Sequence, residues 1–311
     1  MRTTRFWKLV ERLWSTKRRG RQLKISSPLP LPTESDDSYE PDKNFNNEPL
    51  RHSIGPGFQV MSDLHLEGRD AGSEKSYERF TIPRQAPYLV LIGDIGYFRH
   101  AERYQTFLRR QCDVFDHVFL IPGNHEFYGV SRARGLQLAS DMAKSLGGRL
   151  TVMDGDQRRV NIDESTILIG CTLYSAGEPD RGYYINDFHC VSDWSPQQHV
   201  MAHNADKDYL ERALKDIKDK RPNSRVLIAT HYAPLYGPAL HPRHRNSPLN
   251  SFFCSDILDD LMRLGLMGQV DVWISGHTHY NMNDKVGHVQ VASNQFSDKD
   301  SRRKFSVEAT V

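Results

Sequence analysis

Five apolar segments that are predicted as β-strands each end in a short cluster of Asp, Asn or His residues. In chain order the clusters are Asp63-Leu64-His65, Gly93-Asp94, Gly123-Asn124-His125-Glu126, His231-Tyr232 and Gly276-His277-Thr278-His279. In a mostly parallel sheet, ligands bind beyond the carboxyl ends of the strands, where the loops converge. We therefore predict that the five clusters meet in one pocket, and this requirement restricts the fold more than any other feature.

From Phe58 onward, short β-rich segments alternate with longer segments of helical periodicity, which predicts an α/β layered fold. The predicted strands are 58–62, 88–93, 117–122, 149–153, 158–162, 166–173, 225–230, 271–275, 287–292 and 304–310. The predicted helices are 100–112, 131–147, 196–219 and 252–265. Ser131, Ser195 and Ser251 are predicted to cap the last three helices.

The 311 residues are predicted to form one catalytic domain, 56–311, preceded by a tail. Residues 1–24 hold nine Lys or Arg and one Glu, and residues 4–14 have the spacing of a basic amphipathic helix. This segment could anchor weakly to a membrane surface or a protein, target an organelle, or be an exposed tail that is helical only when bound. Residues 25–55, rich in Ser, Pro and acidic residues, are predicted to be a disordered linker.

Charge and cysteine usage exclude several classes of protein. Subtracting the +8 of residues 1–24 from the total of +2 leaves −6 for the remainder, so nucleic acid is not a favoured partner. The four cysteines form no C-x-x-C pair, which argues against a disulfide framework and a structural zinc site. No apolar run reaches the roughly 20 residues of a transmembrane helix. Together with the cysteine usage, this predicts a cytoplasmic, reducing location unless the basic segment targets an organelle.

The residue types in the five clusters suit metal binding. Asp63 and His65 are two residues apart, so they would face the same side of a continuing strand, and His277 and His279 repeat that spacing. Oxygen and imidazole donors without thiolates favour Mn, Fe, Zn or Ni. Seven candidate ligands exceed one tetrahedral site, which predicts two ions. Gly93, Gly123 and Gly276 each precede a candidate ligand, where a tight turn or a close approach of the backbone would need a residue without a Cβ.

The ordered motifs resemble those of the calcineurin-like metallophosphoesterase superfamily, over roughly residues 58–296. The matching motifs are D-x-H at 63–65, GD at 93–94, GNHE at 123–126, H at 231 and GHTH at 276–279. The resemblance implies a four-layer α-β-β-α sandwich with two mixed sheets. It also implies ligands for a first metal (Asp63, His65 and His279), ligands for a second metal (Asn124, His231 and His277), and Asp94 as the bridging carboxylate.

The same resemblance makes His125 the catalytic histidine that does not bind metal. Two ions would lower the pKa of a shared water and clamp the phosphate oxygens, and the resulting bridging hydroxide would attack a phosphodiester or phosphomonoester. A small or nucleotide-like substrate is expected. A nuclease, a protein phosphatase and a non-catalytic scaffold are the alternatives, although a scaffold would be expected to lose ligands.

Two loops are candidates for binding substrate. The loop 174–194 holds Tyr183, Asp187 and His189, which could contact a base or a phosphate or could simply cover apolar surface. Arg243 lies in a second loop that could supply positive charge or be a solvated surface. Tyr97 also fits the GD-x-x-Y pattern of purple acid phosphatases, but that family has glycine in place of His65, so Tyr97 is predicted to pack beside the site rather than bind metal.

Overall fold

The computed structural model describes residues 57–68, 72–74, 76–296 and 305–311. The predicted basic segment 1–24 and linker 25–55 lie outside these residues, and their assignments remain predictions. Within the described part of the chain, no helix combines the length and apolarity that crossing a membrane requires.

The first sheet holds four parallel strands in sequential order, β1-β2-β3-β4. They are β1 (Phe58–Met61), β2 (Tyr88–Ile92), β3 (His117–Ile121) and β4 (Leu150–Val152). The C-terminal residues lie antiparallel to the outer edge of β1, where Phe58 and Val311 exchange backbone hydrogen bonds of 2.9 and 2.8 Å. This segment gives the sheet its mixed character and covers the edge of β1.

The second sheet holds six strands in the order β5-β6-β7-β8-β10-β9. They are β5 (Arg159–Asn161), β6 (Thr166–Cys171), β7 (Arg225–Thr230), β8 (Val270–Ser275), β9 (Asn283–Val286) and β10 (Val289–Ala292). The four central strands are parallel, and the two edge strands are antiparallel to their neighbours. The carboxyl ends of β7 and β8 therefore lie at the same edge.

The helices are α1 (Ala101–Val114), α2 (Arg132–Ser145), α3 (Asp187–Cys190), α4 (Pro196–Lys220) and α5 (Ile257–Arg263). Two of the predicted N-caps are confirmed. The Ser131 side chain accepts a hydrogen bond from Arg134 N, and the Ser195 side chain accepts one from Gln198 N.

Three apolar clusters define four layers, because alternate residues of each strand face opposite sides of a sheet. Leu89 and Leu91 of β2 pack with α1 and α2, whereas Val90 and Ile92 face the second sheet. In β7, Leu227 and Ala229 face the first sheet and complete the central cluster, and the other face packs with α4 and α5. The predicted α-β-β-α sandwich with two mixed sheets is confirmed.

Three predicted element boundaries were wrong, each for a local reason. The helix predicted at 252–265 begins at Ile257, because residues 253–255 pair with Ala233 after β7, so Ser251 is not its cap. The strand predicted at 304–310 is reduced, in its described part, to a bridge at Thr310. The strand predicted at 287–292 begins at Val289, because Gly287 turns the chain back toward β9, which the sequence pattern missed.

Candidate metal centre

The structure brings the seven predicted ligands together at the carboxyl ends of β1, β2, β3, β7 and β8. Two sets of side chains there each place their donor atoms within 4.8 Å of one another. The first set is Asp63, His65, Asp94 and His279, and the second is Asp94, His231 and His277. Asp94 belongs to both sets, so one carboxylate joins the two candidate metal positions.

The donor atoms of the first position lie close to one another. His65 Nε2 lies 3.1 Å from His279 Nε2, and His279 Nε2 lies 3.3 Å from Asp63 Oδ1. The Nδ1 of His65 lies 3.1 Å from Glu67 Oε1, and when Nδ1–H donates a hydrogen bond to this carboxylate, Nε2 keeps its lone pair for a metal. The set fits a divalent cation.

The donors of the second position also fit a divalent cation, and here the tautomer of the histidine is fixed by its partner. His231 Nδ1 is 3.0 Å from the carbonyl oxygen of Ile92, which can only accept, so Nδ1 carries the proton and Nε2 a lone pair. That Nε2 lies 3.0 Å from Asn124 Oδ1 and 3.3 Å from Asp94 Oδ1. Three lone-pair donors converge on one point, and a cation there would satisfy all of them.

The two oxygens of Asp94 face different positions. Oδ1 lies 3.3 Å from His231 Nε2, and Oδ2 lies 3.8 Å from His65 Nε2. Oδ1 also accepts a hydrogen bond of 2.9 Å from the backbone N–H of His125, which fixes the carboxylate between the two sets.

Five of the candidate ligands have a left-handed backbone, with φ between 47° and 70°: Asp63, His65, Asp94, His277 and His279. This conformation is costly for residues other than glycine, at about 1–3 kcal/mol each, and persists only where surrounding structure enforces it. All five follow β1, β2 or β8, at the sheet edges where the donors meet.

The glycines that precede the ligands are needed for close packing, as predicted. A Cβ on Gly93 would lie 2.3 Å from His231 Nδ1, and one on Gly123 would lie 2.3 Å from Asp94 Oδ1. A Cβ on Gly276 would lie 2.7 Å from Asp63 Oδ2. Each distance is shorter than atoms can approach, so the ligands occupy space that only glycine leaves open.

Gly123→Ala is therefore expected to weaken metal binding, because Asp94 and His231 must both move to admit the methyl group. Overpacking of this kind costs about 1–3 kcal/mol of stability. Isothermal titration with Mn²⁺ measures the binding and thermal unfolding measures the stability. Gly268→Ala is the matched control, since a Cβ there meets nothing within 4 Å, and equal metal affinity in the two variants would contradict the prediction.

Burial keeps two of the histidines neutral. It lowers the pKa of His231 to about 4 and holds the pKa of His277 well below its usual value. For Asp63, burial opposes ionisation, but the hydrogen bond and charge of His279 keep the pKa of the carboxyl well below its usual range. Neutral imidazole and ionised carboxylate are the protonation states that bind metal ions.

His125 lies beside both sets and is held by two neighbours. Its Nδ1 lies 3.2 Å from Glu67 Oε1, the same oxygen that contacts His65. Its ring stacks on Tyr128, with centroids 4.2 Å apart. His125 Nε2 lies 3.9 Å from Asp94 Oδ2, and the His125 side chain is partly exposed.

Glu126, the last residue of the GNHE motif, organises the backbone below the site. Its buried carboxylate accepts hydrogen bonds from the backbone N–H groups of Gly123, Asp94, Ile95 and Gly96, at 2.7 to 3.3 Å. The hydroxyl of Tyr104 adds a fifth bond of 3.0 Å. This carboxylate joins the loops after β2 and β3 into one unit.

Comparison with known proteins agrees with this geometry. The family model of the calcineurin-like phosphoesterases matches residues 58–281. The chain belongs to the calcineurin-like phosphoesterase family. It is thus a metal-dependent phosphoric ester hydrolase, and the family and the candidate ligands together indicate a dinuclear divalent metal site.

Individual proteins match this chain at low sequence identity. An uncharacterized protein of Acanthamoeba polyphaga mimivirus is 25% identical over 268 residues, which are 80% of this chain and 93% of that protein. The structure of a phosphopantetheinyl hydrolase from Mycobacterium tuberculosis superimposes with a TM-score of 0.58 and 15% identity, covering 78% of this chain and 89% of that one. A dimetal phosphatase from Danio rerio gives 0.47 and 17%, covering 79% and 87%.

The predicted substrate-binding residues occupy different environments in this phosphoesterase. Tyr183 is 77% exposed, and its carbonyl oxygen lies 2.8 Å from Nε2 of the exposed His189. Arg243 is exposed in the loop that follows β7. Asp187 is only 4% exposed, which favours a positioning role over the predicted contact with substrate. Direct substrate contact by the other three stays a prediction.

Tyr97 packs beside the phosphoesterase site in the way that the sequence predicted. Its ring lies 6.1 Å from that of His125 and 5.9 Å from that of Tyr128, and Arg99 lies over it at 4.6 Å. Burial raises the pKa of Tyr97 to about 12, so the hydroxyl keeps its proton.

Proposed function

We propose that this chain hydrolyses phosphodiester or phosphomonoester bonds of a small or nucleotide-like substrate at a dinuclear metal centre, with water as the nucleophile. The observation that carries the proposal is the position of Asp94, whose two carboxylate oxygens face two separate sets of donors. Two ions that share a ligand lie close enough to act on the same phosphate.

The proposed ligands divide into two groups around Asp94. Asp63, His65 and His279 would hold the first ion, and Asn124, His231 and His277 the second. When bound, two divalent ions supply an activated water and offset the negative charge of the phosphate. The neutral imidazoles of His231 and His277 suit this role, because metal binding there displaces no proton from the ring.

The proposed work of His125 is to transfer a proton to the leaving oxygen or to stabilise its charge. Glu67 supports this assignment, since its carboxylate lies 3.2 Å from Nδ1 of His125, while Nε2 lies 3.9 Å from the proposed shared ligand Asp94. The stack on Tyr128 restricts rotation of the ring.

The proposed size of the substrate rests on charge. Of the −6 carried by residues 25–311, −4 lies in residues 25–55, which leaves −2 for the predicted catalytic domain and no excess of Lys and Arg there. Proteins that bind a nucleic-acid backbone neutralise its phosphates with Lys and Arg. The exposed Tyr183 and Tyr184 on the loop after β6 are suited to stack on a base or another aromatic group.

Turnover of synthetic esters tests the proposal. Protein loaded with Mn²⁺ is expected to hydrolyse bis-p-nitrophenyl phosphate or p-nitrophenyl phosphate, and the absorbance of released p-nitrophenolate measures both rates. The ratio of the two rates distinguishes a diesterase from a monoesterase. Hydrolysis of neither ester by protein shown to contain two ions per chain would contradict the proposal.

A further inference from the structure

Asp187 is a buried acidic residue that the proposed reaction does not use directly. It is the first residue of α3, in the loop between β6 and α4, and it is 4% exposed. Its carboxylate accepts three hydrogen bonds, from Asn124 Nδ2 at 2.8 Å, Tyr128 OH at 2.6 Å and Tyr232 OH at 3.0 Å. A buried carboxylate with three donors is a fixed point in the structure.

The bond to Asn124 decides which way the amide points. The Asp187 oxygens accept from Asn124 and from two tyrosine hydroxyls, so the Asn124 atom facing Asp187 is the NH₂ group. The amide oxygen must then face the opposite side, where it lies 3.0 Å from His231 Nε2. If the amide were reversed, its NH₂ group would occupy the second metal position and exclude a cation.

The two tyrosines connect the same carboxylate to other parts of the centre. Tyr232 packs against the ring of His277, with centroids 4.0 Å apart, and Tyr128 stacks on His125. All three donors to Asp187 therefore either belong to the candidate centre or contact a member of it.

The loop that carries Asp187 is itself fixed to the segment that carries Asn124. Gly129 N donates to Cys190 O at 2.7 Å, and Ser192 N donates to Val130 O at 3.0 Å. These backbone bonds join the loop to the segment that follows the GNHE motif without using the Asp187 side chain.

We infer that Asp187 is a positioning residue that fixes the orientation of the Asn124 amide and thereby sets the affinity of the second metal position. The inference rests on the proposed function, because it takes Asn124 as a metal ligand. The first position, formed by Asp63, His65, Asp94 and His279, has no member that bonds Asp187 among the described contacts. Loss of Asp187 therefore affects the two positions unequally.

Asp187→Asn tests the inference, because an amide at this position can turn either end toward Asn124 and no longer dictates its orientation. Titration of the metal-free full-length protein with Mn²⁺ is expected to show an unchanged first site and a second site weakened about 10–100-fold, the usual cost of losing an outer-shell partner. Electron paramagnetic resonance is expected to show mononuclear Mn²⁺ where the unmodified chain gives a spin-coupled pair. Asp180→Asn, an exposed change in the same loop, is the matched control.

An exchange of the two side chains separates positioning from loss of structure. Asn124→Asp alone places two carboxylates in contact and is expected to lose the second ion. Asn124→Asp combined with Asp187→Asn restores a donor facing an acceptor, and most of the lost second-site affinity is expected to return. Recovery in the double variant would not occur if the single changes simply unfolded the protein.

The possible results distinguish the inference from the function on which it rests. If the unmodified chain binds two ions and Asp187→Asn binds both equally well, the inference is overturned and the dinuclear function stands. Equal weakening of both sites also overturns the inference, since it marks a general structural role. If the unmodified chain binds fewer than two ions, the proposed function and the inference both fail.

Discussion

Asp94→Asn is expected to lower the turnover of a phosphoester by more than about 100-fold. Loss of a residue that only supports a metal ligand costs up to about 100-fold, and Asp94 is proposed to bind the metals directly. Asp94 is the residue that both donor sets share, so its loss weakens both candidate positions at once. The amide has nearly the same shape and can still accept the 2.9 Å hydrogen bond from His125 N, so the fold is expected to survive. Steady-state kinetics with Mn²⁺ and elemental analysis of the protein measure the two effects.

Asp141→Asn is the matched control for this change, because it replaces an exposed carboxylate on α2. Its turnover and metal content are expected to equal those of the unmodified chain. Undiminished turnover by Asp94→Asn, together with two ions per chain, would refute the assignment of Asp94 as the shared ligand.

Much of the candidate site could be predicted because its donors follow strands. Each motif is local in sequence, and parallel strand order brings Asp63 and Asp94 to one edge of the first sheet and His231 and His277 to one edge of the second. The packing of the two sheets then brings these edges together. The need for glycine before the ligands was also predictable, because the backbone there lies too close to ligand side chains to leave room for a Cβ.

The roles of Glu67 and Asp187 could not be predicted from local motifs. Glu67 follows His65 by two residues, but it lies in a 3₁₀ turn, and its contact with His125 spans 58 residues of sequence. Asp187 lies 63 residues from Asn124 in a loop with no motif. Contacts of this kind depend on the packing of loops, which hydrophobic periodicity does not encode. The D-x-H-x-E spacing was the one available signal for Glu67.

Long-range contacts also explain why some predicted element boundaries were wrong. The strand β9 has the sequence Asn-Asp-Lys-Val, which carries almost no apolar pattern and is stabilised by pairing with β10. The residues before Ile257 have helical periodicity, yet their backbone pairs with the segment after β7. Tertiary contacts override local preference in both places.

His125→Ala is expected to lower kcat by about 10²–10⁴-fold, the range for loss of a general acid or base, while two ions remain bound. The side chain lies beside both donor sets without completing either position in the proposed division, so the metal affinity should change little. If His125 protonates the leaving oxygen, the loss is expected to be larger for an alkyl phosphoester than for a p-nitrophenyl ester. The p-nitrophenolate leaving group needs less help from a proton.

Glu67→Gln keeps the shape of the side chain but removes the charge that contacts Nδ1 of both His125 and the proposed ligand His65. Kinetics are therefore compared at saturating Mn²⁺, with two ions per chain shown by elemental analysis. A smaller loss of kcat than in His125→Ala is expected, with the same dependence on the leaving group.

His288→Ala, which replaces an exposed histidine beside β10, is the matched control for His125→Ala. If His125→Ala slowed both esters equally, the proton-transfer role would be excluded, and stabilisation of charge on the phosphate would remain as the explanation for any loss of rate.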